Sequence, residues 1–84
     1  MAKWRVDRQW IATGPSPPSR DTEAQFAFML TSDGQERQVT VEFVRGADGS
    51  PAAARGVLNR YLNTDAPPRF LIMDSEGRVS TSDQ

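Results

Sequence analysis

A chain of 84 residues with 37% hydrophobic side chains has room for one core, so a single domain over 1–84 with modest stability is expected. Ten basic against eleven acidic residues leave a net charge of −1, which argues against disorder throughout. The absence of cysteine and histidine excludes disulfides, thiol nucleophiles, imidazole bases and ordinary zinc sites, and the lack of a long apolar run or signal-like start predicts a soluble, cytoplasmic protein without membrane contact.

Trp4, Val6, Arg8 and Trp10 alternate, with Ile11 off phase. This predicts a leading strand over 3–12 with a bulge near Arg8 or Gln9. Trp4 and Val6 share a face and read as core. Trp10 falls where the alternation fails, so the pattern assigns it no side. The following run, Gly14-Pro15-Ser16-Pro17-Pro18-Ser19, lacks the backbone donors a strand or helix needs and predicts a loop over 14–20.

Asp33-Gly34 is a two-residue hairpin signal, because both positions must tolerate positive φ. A turn there makes Phe28 face Val39, Phe26 face Val41 and Ala24 face Phe43, all on one side of the pleat. Gln25 opposite Glu42, Ala27 opposite Thr40 and Met29 opposite Gln38 occupy the other side. An oily face backed by a polar one is what a half-buried antiparallel pair over 24–45 requires, and a one-residue slip would destroy it. A longer loop over Ser32 to Glu36 is the competing reading.

Asp48-Gly49 then turns the chain, Ser50 suits an N-cap and Pro51 the first helical position. Ala54, Val57, Leu58, Tyr61 and Leu62 form one apolar stripe, predicting a helix over 51–63 closed at Asn63. Gly56 weakens it by about 1 kcal/mol relative to alanine, so packing must hold it. Phe70-Leu71-Ile72-Met73 is apolar on both faces and predicts an interior strand over 69–73. Residues 78–81 are read as a short final strand, and the polar tail 80–84 is expected to fray.

The fold class that follows is α+β: a two-layer sandwich, mainly antiparallel sheet packed by one helix, in the order β-β-β-α-β(-β). Over residues 24–81 this run resembles the element order of a β-grasp (ubiquitin-like) fold, without a family motif. The leading strand and proline loop depart from that pattern and leave the sheet order open.

No catalytic residues are expected. Lys3, the one lysine, lies near the N-terminus, a poor place to lower an ammonium pKa. Asp74-Ser75-Glu76-Gly77 has turn chemistry and too few oxygens for calcium. Arg45 to Pro51 lacks the lysine and spacing of a phosphate-binding loop. No metal site and no cofactor are therefore expected.

Binding is the better reading. Lys3, Trp4, Arg5, Arg8, Trp10 and Arg20 interleave cations with indoles, as single-strand nucleic-acid binders do, although a pI near 5.2 lacks their usual basic footprint. Met29 and Gln38 lie on the polar hairpin side, a surface for a protein partner. The leading expectation is a non-catalytic protein-interaction or regulatory accessory module of bacterial or phage character, binding through Trp10, Arg5, Arg8, Arg20, Met29 and Gln38. The alternative is a single-stranded nucleic-acid-binding module using Trp10 and the arginines of the N-terminal segment.

Overall fold

The computed structural model describes residues 3–12 and 21–83. Strands β1 (Arg5–Ile11), β2 (Thr22–Ser32) and β3 (Gln35–Val44), helix α1 (Pro51–Asn59), and strands β4 (Phe70–Met73) and β5 (Val79–Ser82) follow in chain order. The five strands form one sheet whose spatial order is also β1-β2-β3-β4-β5. Three pairings are antiparallel, and α1 carries the chain across to make β3 and β4 parallel. The α+β class and the element order therefore match the sequence pattern. The likeness to a β-grasp is one of element order, since β4 returns beside β3 and β1 extends the sheet on the far side.

The β2–β3 hairpin has the register that the alternation demands. Phe28 faces Val39, Phe26 faces Val41 and Ala24 faces Phe43, with Met29 opposite Gln38 on the reverse side. Asp33 and Gly34 make the turn at φ 49 and 81, so the longer loop does not form. The oily face meets Ala54, Val57 and Leu58 of α1, and Leu71 of β4 completes the buried layer.

Ser50 caps α1, its Oγ accepting from the Ala53 N–H at 3.1 Å. The helix stops at Asn59, short of the expected Asn63. Arg60 and Tyr61 donate to carbonyls three residues back, at 3.2 and 2.9 Å, so the chain tightens into a narrower turn. Tyr61 and Leu62 still pack on the core, because the tighter winding keeps them turned inward. Just before the helix, Gly49 lies against a core ring. A Cβ there would stand 2.6 Å from Cγ of Phe43.

The leading strand carries the bulge one position earlier than expected. Val6 pairs with Leu30, and the next partners are Arg8 and Met29. Asp7 is thus the extra residue, and it reverses the side-chain phase of everything after it. Trp4 and Val6 face the core, whereas Arg8 and Trp10 face away. Trp4 is 7% exposed, and its amide donates to the Leu62 carbonyl at 2.9 Å.

The tail does not fray where the polar composition suggests. Residues 80–82 belong to β5, and Asp83 Oδ1 accepts from the Arg69 N–H at 3.2 Å. Pairing with β4 satisfies the backbone that polar side chains alone would leave to water. The proline-rich loop 14–20 lies outside the described residues.

Candidate functional site

Helix α1 covers one face of the sheet, and no described helix or strand packs on the other. On that second face the register aligns side chains into cross-strand rows. Arg8, Met29 and Gln38 form one row; Trp10, Ala27, Thr40 and Phe70 form the next. Arg5 lies beside Thr31 at the end of the same face. Arg5 precedes the bulge and Arg8 follows it, so the extra residue is what lets both arginines share a side. Five of the candidate residues, Trp10, Arg5, Arg8, Met29 and Gln38, therefore occupy one surface. Arg20 lies outside the described residues.

Trp10 is 40% exposed. At the usual spacing of about 4.8 Å between strands, Trp10 and Phe70 stand about 14 Å apart across the row. Arg8 pairs with Asp7 at 3.3 Å on the exposed edge. Met29 is half-buried and Gln38 exposed.

The middle of this face is less open than its polar composition suggests. Ala27 and Thr40 are buried between the larger Trp10 and Phe70, and Glu42 is fully buried. The Glu42 carboxylate accepts from Gln25 Nε2 and from Thr22 Oγ1, each at 3.4 Å. A second register shift, between Thr22 and Ala24, turns Thr22 to this side and makes that bond available.

A cleft of about 410 Å³ opens at one corner of the face, lined by Glu36, Arg37, Gln38, Thr40, Arg69 and Phe70. It exists because β3 outruns β4. The first β3 residue paired with β4 is Thr40, so residues 35–39 have a neighbour on one side alone. Arg37 reaches toward the helix side, where its Nε donates to the Pro67 carbonyl and its Nη2 stands 3.7 Å from Asp83. Sequence reasoning did not single out Arg69, Arg37 or Glu36. The readable signal was the mismatch between a long third strand and a four-residue fourth.

The two remaining turns are self-contained. Asp74 Oδ1 accepts from the N–H groups of Glu76 and Arg78, both at 2.9 Å. These backbone donors, Arg78 first, hold the Asp74 carboxyl below the ordinary aspartate range. In the loop before α1, Ala47 donates to the Val44 carbonyl at 3.0 Å and Gly49 to that of Ala47 at 3.1 Å, so these N–H groups serve the turn. Among the described residues, no group of three or more carboxylates gathers as a metal site, and no helix is long and apolar enough to cross a membrane. Comparison with protein-family models, with curated proteins and with solved structures found no match for this chain.

Proposed function

We propose that the chain is a small, non-catalytic protein-interaction or regulatory accessory module that binds its partner through the helix-free face of the sheet. The observation that carries this reading is the β1 bulge, which turns the exposed Trp10 and Arg8 onto the face that bears Met29 and Gln38. Tryptophan and arginine are the side chains that most often dominate binding energy at protein interfaces. The half-buried Met29 opposite Arg8 offers an adaptable apolar contact.

The test is capture from the native host with immobilised protein. A partner retained by the parent chain and by the helix-side variant Arg55→Ala should be lost about tenfold or more by Trp10→Ala and Arg8→Ala. Equal retention by all four proteins overturns the reading.

One observation favours a second reading, a single-stranded nucleic-acid-binding module. Trp10 is partly exposed beside a cation, with Phe70 at the other end of its row. A base stacked on such a ring is worth about 1–3 kcal/mol. Because Trp4 is buried, fluorescence quenching by mixed-sequence single-stranded DNA or RNA reports on Trp10. Quenching that weakens with salt supports this reading, since phosphate contacts release counterions. A flat titration at low salt removes it.

A further inference from the structure

The corner cleft carries an inference about what kind of ligand the module takes. Thr40 donates its N–H to the Arg69 carbonyl at 2.8 Å, so the even-numbered residues of β3 direct their backbone groups toward β4. By the same alternation, Gln38 and Glu36 point their N–H and C=O groups to that side, beyond the point where β4 begins. Among the described residues, neither makes a backbone hydrogen bond on that side. The chain entering β4 does not fill the gap. Pro67 is buried and is held by Arg37 on the helix side, and Pro68 has no N–H to offer.

We infer that this half-edge of β3 receives an extended peptide segment of a protein partner, added as a short strand in line with β4, with an acidic side chain of that segment meeting Arg69. The backbone of Glu36 and Gln38 presents donors and acceptors in alternation, which suits a strand; a small anion would call for donors alone. The four steps along β3 from Glu36 to Thr40 span about 13 Å, room for a four- or five-residue segment. The charge lies at one end. Arg37 is already engaged by Pro67 and Asp83, whereas the Arg69 guanidinium has no ion pair or side-chain hydrogen bond among the described residues. Arg69 is exposed beside Phe70, so it offers a charge-assisted bond to a carboxylate lying next to an apolar ring. Glu36 marks the opposite end and disfavours a second acidic group there.

This inference rests on the reading of the chain as a binding module and sharpens it at one corner of the same face. Its test uses the full chain, labelled with nitrogen-15, and the capped peptide acetyl-Thr-Val-Glu-Val-Thr-amide. Amide shifts at Glu36 and Gln38 are expected at about millimolar peptide, the weak end of the affinity scale. Replacing the peptide's Glu by Gln, or the protein's Arg69→Gln, should weaken binding about tenfold, as for loss of one charge-assisted bond. Methylating the peptide backbone nitrogens should abolish it even where Arg69 is intact, so the result does not depend on one variant's folding. Shifts confined to other residues, equal binding of the Gln peptide, or equal binding of free glutamate would each overturn the inference. The partner lost by Trp10→Ala would then still stand for the module reading, and its retention alongside a positive peptide titration would leave the cleft and remove the broad face.

Discussion

The indole N–H of Trp4 donates to the Thr64 carbonyl at 3.0 Å, joining positions 60 apart in the chain. With the amide bond to Leu62, it clips the start of β1 to the segment that follows α1. An edge strand of seven residues is thereby held to the helical layer as well as to β2, which matters for a strand whose outer half carries the candidate binding residues.

The two tryptophans should therefore behave differently. Trp4→Ala is expected to cost about 3–5 kcal/mol, the range for deleting a buried aromatic. Trp10→Ala, which removes a ring 40% exposed, should cost less, about 1 kcal/mol. Urea denaturation followed by far-ultraviolet circular dichroism separates the two outcomes without relying on either fluorophore.

The hairpin register admits a sharper contrast. Phe28 is fully buried on the helix side, and Phe28→Ala should cost about 3–5 kcal/mol. Gln38→Ala, on the exposed side of the neighbouring strand, should cost under about 0.5 kcal/mol. Comparable losses at both positions would contradict the pairing of Phe28 with Val39.

Gly49 is required for space. A methyl group at this position would meet Cγ and Cδ2 of the Phe43 ring at 2.6 and 2.8 Å, and Phe43 is fully buried and packs edge-to-face with Phe26 at a centroid distance of 6.0 Å. Gly49→Ala is expected to destabilise by about 1–3 kcal/mol, the usual cost of overpacking. Gly56→Ala, with open space around it, should instead stabilise α1 by up to about 1 kcal/mol. Thermal unfolding of the two variants should shift in opposite directions.

Acid should weaken the β4–β5 turn through Asp74. Its carboxyl is held below the ordinary range, chiefly by the Arg78 N–H and then by that of Glu76. The folded state thus binds the proton less readily than the unfolded state, so the contribution is fully present above the ordinary aspartate pKa. It is lost as pH falls from that value through the lower folded-state one. Asp74→Asn should remove this part of the acid dependence, and stability measured along a pH series would show the flattened limb.

Much of the fold was legible because local signals and the two periodicities agreed. Asp33-Gly34 and the alternation around Phe28 and Val39 point to one register, and Ser50-Pro51 marks one helix start. The helix end was less legible, since Tyr61 and Leu62 continue the apolar stripe through a turn that is no longer α-helical. Sheet order was not legible at all, because nothing local tells Phe70 which neighbour to take. The candidate face was partly legible: Met29 and Gln38 follow from the hairpin, but the side taken by Trp10 depends on a single extra residue, Asp7. The corner cleft depends on where β4 starts against β3, a tertiary offset between segments that are individually ordinary.

Spatial order repeating chain order also has a consequence for how the molecule assembles. Each strand after the first pairs with the one that precedes it in the chain, so no strand is inserted between two others. Such a path keeps loop-closure costs low until late. The Trp4 clip is the exception, because it joins positions 60 apart and closes the longest loop. In a Trp10→Phe background, the emission of Trp4 should accordingly be the last signal to reach its native value on refolding, after the hairpin amides are already protected from exchange. Assembly would run outward from the middle of the chain, with its beginning fastened last.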